Sequence, residues 1–344
     1  MKTKIKLSLI VFAVLTLLSS GLSIFFIYED FKNSRDRHSS ANQAARDNSS
    51  EEYIWVAPMT EYSMCKNHDE RALHQFSGET GINVTVLGPA GYDVEALYDA
   101  MEKAIARNPS GILVLAADKK LTPLINRAVE AGIPTITVDA DLAESKRLAY
   151  VGSNWFNIGV KQGEAMVRLI GGKGKVAMMG IQGSENMEQG FAGFKSVMKD
   201  YPEVMILGEF DDMANSQESQ RITEELLGKH PDIAGIAGFD SYSGPGIGEA
   251  VKKAKFKGRV KVTSVDMEPA HLALVKEGII HKLIGQKREL FTYYGARLLY
   301  EINHSTITFT RDDKGNGIIP VPFKIDTGLI EIDQTNVFTI DSSK

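Results

Sequence analysis

The chain has 344 residues, of which 43% are hydrophobic and 24% are charged, and its formal net charge is −5. This composition is that of an ordinary globular protein, and the length suggests about two domains. The mild acidity gives no surface-wide attraction for a polyanion, so nucleic acid is not expected as a partner. The single cysteine, Cys65, excludes an intramolecular disulfide.

The N-terminus has the pattern of a membrane-targeting segment. Lys2, Lys4 and Lys6 precede a stretch without charged side chains, residues 7–28. An apolar run of about 20 residues can span a bilayer, and basic flanking residues favour the cytoplasmic side. We therefore predict a signal anchor over residues 1–28, with a cleaved signal peptide as the alternative. The body of the protein is then extracytoplasmic, in the periplasm or at the cell surface, and anchored to the cytoplasmic membrane by residues 7–28.

Residues 29–52 are rich in Ser, Asn and charged side chains and are almost free of large apolar groups. A segment of this composition has too little apolar surface to fold alone. It is therefore interpreted as a polar linker that separates the anchor from the body, which begins at Tyr53.

From Tyr53 onward, short apolar runs alternate with segments of helical periodicity. The predicted strands are residues 53–58, 83–87, 111–116, 134–138, 175–179, 204–207, 234–237 and 260–265. The predicted helices are residues 70–80, 94–105, 121–131, 155–170, 187–199, 216–229, 246–253 and 269–277. Apolar strands that alternate with helices indicate parallel sheets covered on both faces. The predicted fold class is therefore α/β, with two doubly wound Rossmann-like units in succession.

Polar side chains follow the predicted strands at their carboxyl ends. They are Asp118, Asp139, Asp141, Asn186, Asp211, Asp212, Asp240, Asp266, Glu268, Gln286 and Arg288. In open α/β sheets ligands bind beyond these strand ends, and two facing sheets would share one cleft. A carboxylate offers two acceptor oxygens that suit the paired hydroxyls of a polyol. Capping of the next helix is the favoured explanation for any single Asp, whereas the whole set favours a ligand site.

The order and spacing of several short segments carry more information than any one of them. They are residues 132–139 (GIPTITVD), 150–154 (YVGSN), 190–194 (GFAGF), 230–233 (HPDI), 263–266 (TSVD) and 285–286 (GQ). Together they resemble the type I periplasmic binding proteins of the ribose, galactose and xylose group, over nearly the whole body. The resemblance implies two lobes joined by three hinge strands that close on a small sugar. It places residues 53–153 and 287–320 in the N-terminal lobe, and residues 154–286 and 321–344 in the C-terminal lobe.

The resemblance also implies a set of ligand-binding residues. Asp139, Asp266 and Gln286 stand where the family places hydrogen-bonding groups, and Asp240 follows Phe239, which occupies a usual Asn position. The first cleft loop lacks the stacking aromatics of the family, and Tyr62 is a candidate substitute for them. The predicted ligand-binding set is Tyr62, Ser63, Cys65, Lys66, Asp139, Glu188, Phe239, Asp240, Asp266 and Gln286.

Two arginines of the family pattern are replaced here, by Ala140 and Glu188. Their loss leaves several cleft carboxylates with Lys66 as the nearby candidate cation. Buried carboxylates without a counter-charge are costly. We therefore hypothesise that the ligand itself carries positive charge, as an amino sugar or another cationic small molecule does.

Other function classes are weaker. Cys65, His68 and His74 do not have the spacing of a standard zinc site, so no metal or other cofactor is expected. No nucleophile elbow or HExxH helix occurs in the sequence, so we expect a binding protein rather than an enzyme such as a glycoside hydrolase. A LacI-type transcription factor would need an N-terminal helix-turn-helix in place of the apolar segment. The sequence thus predicts a solute-binding protein for a sugar or sugar derivative that serves an ABC transporter permease, with signalling to a membrane sensor kinase as the alternative.

Overall fold

The structure is a computed structural model that describes residues 48–313 and 315–340. The predicted anchor at residues 7–28 and most of the predicted linker lie outside the described residues. Among the residues that are described, no helix has the length and apolar character needed to cross a membrane. Both sheets belong to the unit that begins at Ser50.

Within the described residues the chain forms twelve β-strands and nine α-helices. The strands are β1 (Glu52–Val56), β2 (Asn83–Leu87), β3 (Gly111–Val114), β4 (Thr135–Val138), β5 (Ala149–Gly152), β6 (Gly174–Gly180), β7 (Val204–Asp211), β8 (Ile233–Gly238), β9 (Lys261–Val265), β10 (Lys282–Gln286), β11 (Lys324–Asp326) and β12 (Leu329–Ile332). The helices are α1 (Arg71–Thr80), α2 (Val94–Ala106), α3 (Thr122–Glu130), α4 (Trp155–Ile170), α5 (Glu185–Met198), α6 (Ser216–Lys229), α7 (Ser243–Lys253), α8 (Pro269–Lys276) and α9 (Glu289–His304). A single π-helical turn, Cys65–Glu70, precedes α1.

The strands form two six-stranded sheets. The first sheet has the order β11-β5-β4-β3-β1-β2, and all of its neighbouring strands are parallel. The second has the order β12-β10-β9-β8-β6-β7, and β12 runs antiparallel to β10 while the other pairs are parallel. The prediction of two successive α/β units with parallel sheets is therefore confirmed.

Each sheet is buried on both faces, as β1 illustrates. Tyr53 and Trp55 pack with Phe76 of α1 and Phe291 of α9 on one face. Ile54 and Val56 pack with α2 and α3 on the other face. Because neighbouring side chains of a strand point to opposite faces, a strand buried on both sides must be apolar throughout. This is why β1 has no polar alternation.

The chain passes between the two sheets three times. The passages lie between β5 and α4, between β10 and α9, and between β11 and β12. The last passage comes later than the predicted lobe boundary at 320/321, because residues 324–326 pair with β5 of the first sheet. We placed residues 321–344 wholly in the C-terminal lobe, but this segment contributes β11 to the first sheet and β12 to the second.

Glycines allow α4 and α5 to approach closely. A Cβ atom on Gly159 would lie 1.9 Å from the carbonyl oxygen of Gly190, and one on Gly193 would lie 2.0 Å from that of Phe156. The backbones therefore touch where any side chain would separate them. This packing places the N-terminal ends of both helices beside the carboxyl ends of the second sheet.

Candidate functional site

The carboxyl ends of the two sheets face a common cavity with about 510 Å³ of space between its side chains, including open solvent at its mouth. Both lobes contribute to its lining. The lining residues are Pro58, Met59, Met64, Tyr92, Leu115, Ala117, Asp139, Trp155, Ile181, Ser184, Asn186, Met187, Asp240, Ser241, Tyr242, Asp266, Gln286 and Arg288. A polar floor with an apolar wall is typical of a small-molecule site between domains.

Two aspartates occupy equivalent positions in the two lobes. Asp139 follows β4 and Asp266 follows β9, and both have left-handed backbones, with φ of 64° and 71°. Residues other than glycine adopt this conformation at a cost, although Asp tolerates it better than most. Trp155 Nε1 and the Tyr150 hydroxyl donate hydrogen bonds of 3.0 and 2.8 Å to the Asp139 carbonyl oxygen. The same strained turn is therefore built at the floor of the cavity from each side.

Arg288 supplies positive charge inside the cavity. Its Nη1 donates to Asp139 Oδ2 at 2.7 Å and its Nη2 donates to Asp69 Oδ2 at 3.0 Å. The side chain is buried, and the two carboxylates that it contacts raise its pKa against the effect of burial. Burial raises the pKa of Asp69 to about 6, although the guanidinium opposes that rise.

This cation corrects one of our expectations. We counted Lys66 as the nearby candidate cation, but Lys66 is exposed and its Nζ pairs with Glu61 at 2.8 Å. Arg288 reaches the cavity from the end of β10, and not from either position at which the family pattern has an arginine. The inference that the cavity carboxylates lack a protein counter-charge is therefore wrong. The hypothesis of a cationic ligand depended on that inference and loses its support.

Asp240 serves the fold and the cavity at once. Its Oδ1 accepts hydrogen bonds of 2.8 Å from the backbone N–H groups of Tyr242 and Ser243, at the start of α7. Ser243 Oγ lies 2.9 Å from the same oxygen and 2.7 Å from Asp212 Oδ2. Burial, together with the charge of Asp240 beside it, raises the pKa of Asp212 well above its usual range, so that Asp212 holds a proton and shares a hydrogen bond with Asp240. Helix capping and a place in the cavity lining, which we treated as competing explanations, therefore apply to the same carboxylate.

Asp266 lies on the floor of the cavity with only a small exposed fraction. Ser241 donates a short hydrogen bond to its Oδ2. Burial raises the pKa of Asp266 to about 7, against the opposing effects of Ser241 and Arg288. Near neutral pH this carboxyl is therefore divided between its charged and neutral forms.

Three polar atoms of the cavity lining have no hydrogen-bond partner among the residues that the structure describes. They are the acceptor Asp139 Oδ1 and the donors Gln286 Nε2 and Arg288 Nε. An unsatisfied buried polar atom costs about 1–3 kcal/mol, and native proteins contain few of them. One acceptor and two donors in a single cavity are complementary to the hydroxyl groups of a small polar ligand.

The apolar part of the lining contains methionines and aromatic rings. Met59, Met64 and Met187 line the cavity together with Trp155. At its rim, Tyr62 of the first lobe stacks on Tyr242 of the second, with ring centroids 4.7 Å apart. Thioethers and aromatic rings pack against the C–H surface of a ligand without requiring hydrogen bonds. The stacked pair of Tyr62 and Tyr242 therefore connects the two lobes at the rim.

A group of four residues, which we call the rim bridge, connects the lobes beside the cavity. It consists of Ser63, His68, Glu268 and Glu289. His68 Nε2 lies 2.8 Å from Glu268 Oε1, His68 Nδ1 lies 2.8 Å from Glu289 Oε1, and Ser63 Oγ donates to Glu268 Oε2 at 2.8 Å. Burial by itself lowers the pKa of His68, but the hydrogen bonds to the two glutamates outweigh it and raise the pKa to about 9. His68 is therefore a cation at neutral pH and holds the lobes together.

The structure places the ten predicted residues in different environments. Asp139, Asp240, Asp266 and Gln286 line the cavity. Tyr62 and Cys65 line a smaller adjoining chamber, and Ser63 belongs to the rim bridge.

Lys66, Glu188 and Phe239 do not line the cavity, and we remove them from the candidate site. Lys66 points to solvent, and Glu188 is exposed on the first turn of α5. Phe239 is fully buried and packs edge-to-face on Phe191, with centroids 4.9 Å apart. The usual Asn position of the family is here part of the core.

Several lining residues were absent from the predicted set. Arg288 and Asn186 stand at strand ends, and that position was a usable signal for both. Met59, Met64 and Met187 carried no such signal, because a buried methionine usually belongs to a core. Within residues 48–313 and 315–340, no three His, Cys, Asp or Glu side chains are arranged to hold a metal ion.

Comparison with known proteins agrees with this architecture. A family model for the periplasmic binding protein domain matches residues 64–304, more than half of the chain. A D-ribose/D-allose-binding protein of Pseudomonas aeruginosa is 24% identical over 250 residues, which are 72% of this chain and 70% of that protein. A D-apiose import binding protein of Paraburkholderia graminis is 25% identical over 166 residues. The match covers 47% of this chain and 53% of that protein, so the chain spans about half the length of this relative.

Solved structures show the same fold. The sugar-binding protein of a sugar ABC transporter from Bacillus halodurans superposes with a TM-score of 0.71 and 28% identity. The match covers 83% of this chain and 97% of that one. Since the family model, the two facing parallel sheets and this superposition agree, the chain belongs to the type I periplasmic binding protein family.

Proposed function

We propose that this protein is an extracytoplasmic solute-binding protein that closes its two lobes on a neutral monosaccharide and presents it to an ABC transporter permease. The observation that carries the proposal is the set of unpartnered buried atoms Asp139 Oδ1, Gln286 Nε2 and Arg288 Nε in one cavity. Hydroxyl groups satisfy all three, whereas an apolar ligand satisfies none. The D-ribose/D-allose-binding relative supports the choice of sugars.

Charge favours a neutral ligand. Arg288 contacts Asp139 and Asp69, and Asp212 holds a proton beside Asp240. Asp266 loses part of its charge near neutral pH because its pKa is raised to about 7. The protein thus balances most of the charge of its cavity, and a ligand need not supply a cation.

Lobe closure explains how binding is reported. Asp139 and Asp266 belong to different sheets, so a ligand that contacts both stabilises the closed arrangement. A membrane partner then recognises a surface that exists only when the lobes are closed. The predicted anchor at residues 7–28 keeps the protein near such a partner, on the extracytoplasmic face of the membrane. Binding and release without chemistry are expected, rather than turnover.

A ligand screen tests the binding proposal. The full chain, held in mild detergent, is heated with pentoses, hexoses, amino sugars, polyols and small amines. A neutral sugar at 100 times its dissociation constant should stabilise the protein by about 2.7 kcal/mol. Gln286→Leu should weaken binding at least tenfold, and the matched control Lys66→Met should leave it unchanged. Stabilisation by amines alone, or by none of these compounds, contradicts the proposal.

A deletion strain tests the partner. Loss of uptake of the identified sugar, with restoration by the wild-type chain, supports presentation to a permease. Normal uptake with loss of the transcriptional response to that sugar contradicts it and favours signalling to a sensor kinase.

A further inference from the structure

The backbone carbonyl of Asp139 is held from both lobes. The Tyr150 hydroxyl, on β5 of the first sheet, lies 2.8 Å from this oxygen, and Trp155 Nε1 donates to it at 3.0 Å. Trp155 begins α4 and packs with Phe191 and Phe239 in the core of the second lobe. The indole hydrogen bond therefore joins the two lobes at the turn that carries a cavity carboxylate.

The Tyr150 hydroxyl lies between two acceptors. Its oxygen is also 2.8 Å from the carbonyl oxygen of Ser153, in the passage from β5 to α4. A phenol carries a single proton, and burial raises the pKa of Tyr150 above its usual range, so the proton stays on the oxygen. That proton can serve only one carbonyl fully at a time. Because the Trp155 N–H already provides a donor to the Asp139 carbonyl, the Tyr150 proton is available to hold the passage at Ser153.

All three passages between the sheets are connected to the Asp139 turn. The first passage and its flanking residues provide the two donors to the carbonyl. Arg288, in the second passage, donates to the Asp139 carboxylate at 2.7 Å. Thr327, in the third, donates its backbone N–H to the carbonyl oxygen of Gly152, at the end of β5, at 3.0 Å. A ligand that contacts the unpartnered Oδ1 of Asp139 therefore contacts a residue that is bonded to the hinge itself.

We propose that Trp155 is a positioning residue for sugar binding, whose indole N–H couples the Asp139 turn of the first lobe to the second lobe and so links ligand contact to lobe closure. This inference deepens the proposed function and rests on it, since it assumes that the sugar contacts Asp139. The left-handed backbone of Asp139, with its φ of 64°, is costly for a residue other than glycine. The two donors to its carbonyl offset that cost and fix the direction of its carboxylate.

The degree of lobe closure at saturating sugar provides the test. Small-angle neutron scattering of the full chain, in contrast-matched detergent, gives its radius of gyration with and without the sugar, and isothermal titration gives the affinity. The wild-type radius should fall as the lobes close. Trp155→Phe keeps an aromatic ring but has no N–H, so it should show less than about half of that fall and about tenfold weaker binding.

Trp55→Phe is the matched control, because Trp55 is buried in the core of the first lobe. It should lower the thermal midpoint while closure at saturating sugar equals that of the wild type. Tyr150→Phe is an independent second variant, since it removes the proton that holds Ser153 and leaves Trp155 in place. It should also reduce closure. The double variant should bind more weakly than the two single effects combined, because the Asp139 carbonyl then has neither donor.

The outcomes separate this inference from the proposed function. A Trp155→Phe chain that closes like the wild type at saturating sugar overturns the positioning role alone. An equal loss of closure in Trp55→Phe also overturns it, since the effect then follows from reduced stability. If Trp155→Phe does not fold, full closure of Tyr150→Phe overturns the coupling. A wild-type chain that binds no sugar overturns this inference and the proposed function together.

Discussion

Arg288 shows how a single side chain changes the interpretation of a whole cleft. It belongs to the segment that we recognised as a strand end. We nevertheless did not count it as a counter-charge for the cleft carboxylates, because the family pattern places its arginines at other positions. Its partners Asp139 and Asp69 are 149 and 219 positions away along the chain. No local pattern connects residues at such separations. The aspartates were predictable as strand-end acceptors, whereas the source of their counter-charge was not.

Replacing Arg288 tests this charge balance. Arg288→Met should lower the free energy of unfolding by about 3–5 kcal/mol at pH 8, because Asp69 and Asp139 would remain buried without a cation. Urea titration measures the loss, and Lys66→Met, an exposed cation on the same side of the cleft, should stay within about 0.5 kcal/mol of wild type. Equal effects of the two substitutions would show that Arg288 does not neutralise the buried carboxylates.

Asp266 provides a prediction with a defined pH dependence. Its pKa is raised to about 7 in the folded protein, against about 3.9 in an unfolded chain. The folded state therefore binds more protons between these values, and stability falls as pH rises from about 4 to 7.

Asp266→Asn removes this penalty, since the amide stays neutral and still accepts from Ser241. Thermal unfolding should give the variant a higher midpoint than wild type at pH 8 and a much smaller advantage near pH 4, while sugar binding weakens. A pH-independent difference would contradict the raised pKa.

At the scale of the elements, most helices and strands follow from local sequence. Side chains of Asp93, Asn154 and Asn215 accept hydrogen bonds from the first turns of α2, α4 and α6, as helix-capping residues do. The apolar runs of the parallel strands need no partner to be recognised. Strands β5, β10, β11 and β12 and helix α9 were not assigned from the sequence. The pairing partners of β10, β11 and β12 include strands that are distant in the chain or on the other side of a passage between the sheets, and no local pattern shows such pairing.

The close contact of α4 and α5 gives an element-scale prediction. Gly159→Ala should destabilise the protein by about 1–3 kcal/mol or more, because the added Cβ would overlap the Gly190 carbonyl oxygen. Sugar affinity should fall with it, since α5 carries Asn186 and Met187 of the cavity. Gly78→Ala in α1 is the matched control, because a Cβ there meets no atom within 4 Å, and it should stabilise by about 0.5–1 kcal/mol. Chemical denaturation compares the pair, and equal changes would disprove close packing.

At the scale of the whole molecule, the rim bridge joins two lobes that the sequence presents as separate units. His68 and Glu289 belong with the first sheet, and Glu268 follows β9 of the second. The titratable and charged groups around the imidazole are these two glutamates, Arg71, which is bonded to Glu289 at 2.7 Å, and the nearby Asp69 and His271. Burial lowers the pKa of His271 to about 4, so His271 is neutral there. The His68 imidazolium therefore contacts Glu268 across the two lobes in this structure, and separation of the lobes would break that contact.

Because the pKa of His68 is raised to about 9 from about 6.5, its contribution is complete below pH 6.5 and is lost as pH rises through 9. His68→Gln should therefore cost about 2 kcal/mol of unfolding free energy at pH 6. The cost should disappear above about pH 9. Denaturation at both pH values measures it, with the exposed His74→Gln as the control. A cost that does not change with pH would mean that His68 is not charged in the bridge.

The sequence by itself determined the α/β class, the two successive units, the family and the strand-end positions of Asp139, Asp240, Asp266 and Gln286. These features depend on periodicity and on short motifs, and both are properties of residues that are close together in the chain. The tertiary structure decided which of those side chains share a cavity, that Arg288 balances their charge, that Phe239 is core and Glu188 is exposed, and that a chamber lies behind the cavity. Charge pairing and burial depend on distances in space between residues far apart in the chain, and only the folded arrangement of the two sheets sets those distances.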